Sequence, residues 1–328
     1  MKFHPRRAVL AMGLATVTAV LLPGMASAQA WPKKTVRIIV PYSPGGSADI
    51  LARVVAQKLG ASMGQQFIVE NKPGASGNIG AEAAANAAPD GYTLLLAPDS
   101  NFTVNPYIYP DMRFDPVKAL MPVSLLTRIG VGLVVNAAVP ANNVAEYIAY
   151  SKTRPEGLSF GSPGTGTPHH LAGELLKQMT GAKLVHIPYK GGGPALNDVL
   201  GNQVPSAFIA LAVVAPHVKS GKLKLLAVTQ ASRSTTSPST PTIGDSIKGY
   251  EVTSWLGMFA PTGTPPEIVT RLHAEIRKAL LDPATSEELG ARALEVVASS
   301  PAELAERIHV ESARWGKLIK ESKIIAAQ

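Results

Sequence analysis

The run Val36-Arg37-Ile38-Ile39-Val40, passing through Pro41-Tyr42-Ser43-Pro44-Gly45-Gly46-Ser47 into Ala48-Asp49-Ile50-Leu51, constrains this chain more than any other stretch. A β-branched run reads as a buried strand, and Ile50, Leu51, Val54, Val55 and Leu59 then recur at helical spacing, so the unit is strand, turn, helix. The prolines stiffen the turn, and the two glycines let backbone N–H groups come close to a ligand. Ser47 is expected to cap the helix, whose first amides lack intrahelical partners and carry partial positive charge. A phosphate loop would need a lysine after the glycines; none is present, so the turn suits a carboxylate. A tight turn with no ligand is equally compatible with this segment alone.

The pattern repeats. Residues 67–70 read as a second strand, followed by the glycine-rich loop 71–78 and an alanine-rich helix stopped by Pro89-Asp90-Gly91. A third strand, 92–97, ends at Pro98-Asp99-Ser100-Asn101, which places three loops on one rim, where open parallel sheets bind ligands. At 328 residues the chain exceeds one core, and 46% hydrophobic content suffices for two. One lobe is expected to comprise residues 29–127 and 227–328, the other 128–226. The second lobe repeats the theme with a helix over 143–153, a strand over 158–160 and the loop Gly161-Ser162-Pro163-Gly164-Thr165-Gly166-Thr167, with Thr167 capping a helix that opens at Pro168. Residues 204–214 read as strand, and 224–229 are expected to return the chain to the first lobe. Thr264 to Glu267 and Ser300 to Glu303 both read as capping boxes.

Lys2, Arg6 and Arg7 precede an apolar run over 8–22, too short to span a bilayer, and then Pro23-Gly24 and Ala26-Ser27-Ala28. Residues 1–28 therefore read as a secretory signal peptide, cleaved after Ala28 or after Ala30, and Arg6-Arg7 leaves a twin-arginine route open beside the general one. A periplasmic chain without cysteine has neither disulfides nor thiolate chemistry. The formal charge of +8 includes those three signal cations, and the rest is spread over solvated faces, with no aromatic-interleaved basic patch for nucleic acid.

Catalytic patterns are missing. Gly74-Ala75-Ser76-Gly77 has the wrong spacing for a nucleophile elbow, and none of the seven histidines opens an H-E-x-x-H site. His169 and His170 diverge on a helix, against joint metal binding. No cofactor and no metal are expected. Four or five amide hydrogen bonds to a carboxylate, at ~1.5–3 kcal/mol each, are enough for micromolar affinity without an arginine.

Longer motifs carry a resemblance: W-P-x-K-x-V-R-I-I-V-P-Y-x-P-G-G-x-x-D at 31–49, V-E-N-K-P-G-A-S-G-N-I-G at 69–80, A-P-D-G-Y-T-L-L at 88–95, H-L-A-G-E at 170–174, P-Y-K-G-G at 188–192 and W-L-G-M-F-A-P-T-G-T-P-P at 255–266. Together they resemble the Bug-type receptors, the periplasmic solute-binding components of tripartite tricarboxylate transporters. The resemblance implies a type II periplasmic-binding-protein fold, two α/β lobes joined by crossing strands around a ligand cleft. It further implies a small organic acid gripped by main-chain amides and delivered to cation-coupled permease subunits. Carried onto this chain, it places Tyr42, Gly45, Gly46, Ser47, Asn78 and Ser100 on the first-lobe side. On the second-lobe side it places Ser162, Gly164, Thr165, Gly166 and Thr167, with His170 and Tyr189 nearby. Asp49 is expected to favour the helix start, since a carboxylate repels a carboxylate.

One departure bears on specificity. Many relatives carry an aspartate after the strand that here reads Ser206-Ala207-Phe208-Ile209-Ala210, and this chain has Ile209 and the apolar run 211–214. A plain mono- or dicarboxylate, an aromatic one included, is then expected over an amino acid. A monomer is expected. Two other classes stay open: a receptor reporting to a membrane sensor kinase, and an exported enzyme on the same fold.

Overall fold

The computed structural model describes residues 31–189, 191–234 and 237–324. The signal-peptide reading of 1–28 and the loop residue Lys190 lie outside the described residues. The strands, in chain order, are β1 (Val36–Val40), β2 (Phe67–Asn71), β3 (Thr93–Pro98), β4 (Leu120–Ile129), β5 (Val131–Asn136), β6 (Leu158–Ser162), β7 (Leu184–Pro188), β8 (Ser206–Ala210), β9 (Leu223–Val228), β10 (Ser254–Pro261) and β11 (Leu294–Val296). They form two mixed sheets: a six-stranded one in the order β11-β4-β10-β3-β1-β2 and a five-stranded one in the order β7-β6-β8-β5-β9.

The chain crosses between sheets at Gly130, the single residue between β4 and β5. Leu211 Cδ1 stands 2.7 Å from where a Cβ at position 130 would be, so the crossing is packed too closely for a larger residue. The return crossing differs from the sequence expectation. β9 stays in the second sheet, paired with β5, and the segment after it keeps Ile243, Tyr250 and Val252 in the second core before Ser254 enters the first sheet. The expected return at residue 227 is therefore too early. An apolar strand feeding a polar loop does not reveal which sheet the strand joins.

Each sheet is covered by helices whose apolar faces fill the cores. Leu51, Val55 and Leu59 of the helix Ser47–Met63 sit at zero exposure against Ile38, Val40 and Leu94, which is the period of 3.6 meeting buried parallel strands. The C-terminal helix Pro301–Ser322 serves both halves: Leu304 and Ile308 pack with the first sheet, and Trp315, Leu318 and Ile319 enter the core of the second. The sequence reading placed this helix wholly in the first lobe.

Three local expectations change. Residues 211–219 form a helix, Leu211–Lys219, where a strand was read, because a short apolar run alone does not separate buried strand from buried helix. Gly46, not Ser47, occupies the cap position of the first helix. Thr264 caps nothing: its hydroxyl donates to the Pro261 carbonyl and the helix begins at Pro266, whereas Ser300 and Glu303 do form a reciprocal capping box.

Candidate functional site

The loop after β1 is held from below by a buried carboxylate. Asp49 Oδ2 accepts from Gly45 N (2.9 Å) and Arg53 Nε (3.0 Å), and Oδ1 accepts from Arg53 Nη2 (2.9 Å) and Asn71 Nδ2 (3.1 Å). Asn71 Nδ2 also donates to the Tyr42 carbonyl at 2.9 Å, which ties the end of β2 to the same loop. Burial pushes the Asp49 carboxyl up, but the hydrogen bonds from Arg53, Gly45 and Asn71 outweigh it and hold it below the usual carboxylate range. Asp49 thus shapes the loop, and the Gly45 amide is committed to it. Among the described residues the N–H groups of Gly46, Ser47 and Ala48 have no protein acceptor, and Gly45 and Gly46 are exposed.

A second polar cluster gathers around Ser76, which sits in the left-handed region at φ 50°. Its carbonyl accepts from Tyr42 Oη (3.0 Å), Asn105 Nδ2 (3.0 Å) and Asn101 Nδ2 (3.2 Å), and its hydroxyl lies 2.7 Å from Tyr109 Oη. Asn78 Oδ1 accepts from Asn105 Nδ2 at 2.6 Å. Burial raises the Tyr42 phenol to about 12, so it remains a neutral donor, and Ser100 lies within its hydrogen-bonding reach. Left-handed geometry at a serine costs about 1–3 kcal/mol and persists only when its surroundings fix it, which here means three donors on one carbonyl.

The loop after β6 is built on histidines. Ser162 Oγ lies 2.7 Å from His186 Nε2 and 3.0 Å from the Gly164 carbonyl, and Gly164 N donates back to it at 3.2 Å. His170 Nδ1 accepts from Gly166 N at 3.1 Å, and the rings of His170 and His186 stack at 3.7 Å. Burial, with His186 and Lys177 nearby, lowers His170 to about 3, and burial lowers His186 to about 4, so both rings are neutral at neutral pH. Thr167 caps the helix Pro168–Thr180 by accepting from His170 N. The amides of Gly164 and Gly166 are consumed inside the loop, which leaves the N–H groups of Thr165 and His169 without protein acceptors among the described residues. Tyr189 turns away: its hydroxyl donates to Asp198 Oδ2 at 2.6 Å, and its ring backs Gly161.

The two sides meet at Gly166. A Cβ there would lie 2.2 Å from Ile108 Cδ1 and 3.4 Å from Val104 Cγ1. Ile108 belongs to the segment that begins at Ser100 and carries Asn105 and Tyr109 to Ser76. A continuous path of contacts therefore runs from Tyr42 through Ser76 and Tyr109 to the second-sheet loop. Sequence reasoning named Tyr42, Asn78, Ser100, Ser162, Gly166 and His170 within this path and missed Asn101, Asn105, Tyr109 and His186. The loop clamp formed by Arg53 and Asn71 was missed too, although Asp49 and Arg53 stand at i, i+4, a spacing that pairs opposite charges on a helix.

Two mixed α/β sheets joined by two crossings are the architecture of the periplasmic-binding-protein fold. The chain belongs to the tripartite tricarboxylate transporter receptor family, whose model matches residues 51–324. It is 36% identical to the protein BugT of Bordetella pertussis over 298 residues, covering 90% of this chain and 91% of BugT. Among solved structures it resembles R. palustris Rpa4515 with adipate, at TM-score 0.84 and 34% identity over 91% of this chain and all of that one (100%). It also resembles the periplasmic binding protein BugD, at TM-score 0.79 and 33% identity over 90% of this chain and 100% of that one. A third structure, MatC from Rhodopseudomonas palustris with bound malate, matches at TM-score 0.78 and 28% identity over 88% of this chain and 100% of that one. The protein is thus a solute-binding receptor of the transporter family. No helix among the described residues is long and apolar enough to cross a membrane.

Proposed function

We propose that this receptor captures a small mono- or dicarboxylate between its two lobes and hands it to cation-coupled membrane permease subunits, without chemical turnover. The observation that carries the reading is the pair of helix starts with open amides, at Gly46 to Ala48 and at Thr165 and His169, on loops joined through Ile108 and Gly166. Such donors favour negative charge and select no particular carbon skeleton. Relatives solved with adipate and with malate support the ligand class. The first 28 residues direct export, with cleavage after Ala28 or Ala30, and the receptor acts as a monomer. The lobes of this scheme divide at Gly130 and again just before Ser254, so that the second lobe runs past the expected boundary at 227 to about residue 252.

Ile209 supports discrimination against amino acids. It sits at zero exposure in an apolar cluster with Ala195, Leu196 and Val199, and offers nothing to an ammonium group. The Ser162–His186 contact raises the enzyme reading. Ser162, however, has zero exposure and is bonded to both ends of Gly164, an arrangement that suits a structural hydroxyl better than a nucleophile.

A thermal-shift panel of organic acids tests the proposal. Ligand at 100 times its dissociation constant adds about 2.7 kcal/mol of stability. Stabilisation by plain dicarboxylates above aspartate and glutamate supports it; amino acids ranking first, or a bound acid being converted, refutes it.

A further inference from the structure

Cations that lie far apart in the sequence are gathered by the topology at one end of the second sheet. β6 runs parallel to β7 and β8, and β5 pairs antiparallel with both β8 and β9, so β6, β7, β8 and β9 all point the same way. β6 and β7 end at the cleft loops, at Ser162 and Pro188, and their starts lie at the opposite end of the lobe. Arg154 and Lys183 precede β6 and β7, Lys222 precedes β9, and Lys224 is the second residue of β9. Lys152 and Lys219 close the helices Val144–Lys152 and Leu211–Lys219, which lead into β6 and β9. Lys152 Nζ donates to the Thr180 carbonyl at 2.9 Å and Lys183 N to Ser151 Oγ at 3.2 Å, which sets these two lysines side by side. Lys224 is half-buried, with Nζ donating to the Val139 carbonyl, and the other five are exposed.

Carboxylates do not answer this charge. The ion pairs of the second lobe join Glu174 to Lys177 and Asp245 to Arg233, and among the described residues none of the six cations has an acid in ion-pair reach. Glu146 accepts from Asn142 N and Asn143 Nδ2 at its own helix start, and Asp198 accepts from Tyr189 Oη. Glu321, which the C-terminal helix brings alongside, accepts from Gln178 and pairs with Lys317. That leaves Glu156, exposed just before β6. Two apolar side chains stand out around Lys183: Met179, near the end of the helix Pro168–Thr180, and Val185 of β7, at 39% and 42% exposure.

We propose that this end of the second lobe is a membrane-docking surface that adsorbs to anionic phospholipid headgroups. Lysine is depleted where protein meets protein, since those interfaces are anchored by arginine and aromatic rings. Hydrated ammonium groups with a few apolar side chains among them suit a layer of phosphates instead. With strands about 4.8 Å apart, the end of a five-stranded sheet is about 20 Å across, room for several headgroups. Docked this way, the receptor turns its cleft loops away from the bilayer and stays close to the membrane, whichever acid the cleft holds.

Co-sedimentation of the purified protein with phosphatidylcholine vesicles, with and without phosphatidylglycerol and at low and high sodium chloride, tests this. The double variant Lys183→Glu, Lys222→Glu is compared with Lys33→Glu, Lys278→Glu, which makes the same charge change at exposed first-lobe positions, after circular dichroism has checked folding. Binding that needs phosphatidylglycerol, weakens with salt, and falls about tenfold or more in the second-lobe variant but less than about twofold in the first-lobe one supports the surface. Equal binding to neutral vesicles, equal loss in both variants, or no binding to either vesicle overturns it, as does capture by polyglutamate in place of vesicles. Should the second-lobe variant fail to fold, Lys183→Gln, Lys222→Gln against Lys33→Gln, Lys278→Gln decides by the same ranking.

Discussion

Replacing Asp49 with alanine removes the clamp beneath the first-lobe loop, and the structure sets the size of the effect. The Gly45 amide loses a charge-assisted bond to a buried carboxylate, about 1.5–3 kcal/mol. The Asn71 bond adds about 1 kcal/mol. Arg53, whose side chain is 56% exposed, adds only about 0–1 kcal/mol. Asp49→Ala is therefore expected to lose about 2.5–5 kcal/mol in chemical denaturation and to weaken carboxylate binding by tenfold or more, because the loop must be ordered when ligand arrives. Arg53→Ala is expected to lose under about 1 kcal/mol. The folded carboxyl is held below its ordinary value, so its contribution is present above that value and is lost as pH falls through the lower, folded one. The gap between wild type and Asp49→Ala should thus stay constant from about pH 8 to about pH 5. A gap that shrinks in that window, or an Asp49→Ala protein no less stable than Arg53→Ala, refutes the reasoning.

Ser162→Ala strands His186 Nε2 and the Gly164 N–H, while the Gly164 carbonyl keeps Thr167 Oγ1 as a donor, at a cost of about 1–3 kcal/mol, and calorimetry should show weaker carboxylate binding. Neutral His170 is favoured by the fold, so its contribution is complete above the ordinary value near 6.5 and is lost as pH falls toward about 3. Between about pH 7.5 and about pH 5 this one ring accounts for about 2 kcal/mol, and thermal denaturation of a His170→Phe variant should lose that part of the slope. Trp315→Ala empties a buried site in the second core and is expected to cost about 3–5 kcal/mol by chemical denaturation, although the residue lies on the helix that also packs the first sheet.

The strand-turn-helix units were legible because hydrophobic period and glycine-proline punctuation are local: β1, β3 and β6, each followed by a helix, stand where the sequence places them. What was not legible depends on contacts far apart in the chain. β9 joining β5, and the C-terminal helix feeding both cores, follow from packing between elements that no single stretch encodes. The site divides in the same way. Gly46 and Thr167 announce themselves by turn chemistry, whereas the commitment of the Gly45 amide to Asp49, and of Gly166 to His170, appears only when side chains four residues on fold back onto the loop. His186 carried no signal at all, since one histidine in a strand has no pattern until Ser162 is set beside it.

A carboxylate held by loops from both sheets protects both loops at once. Amide hydrogen exchange, with and without the dicarboxylate that stabilises the protein most in the thermal-shift panel, reads this out segment by segment. Exchange in residues 42–49 and 162–170 is expected to slow together, at ligand concentrations that track a single dissociation constant. Slowing in one of these segments alone, or in neither, contradicts it.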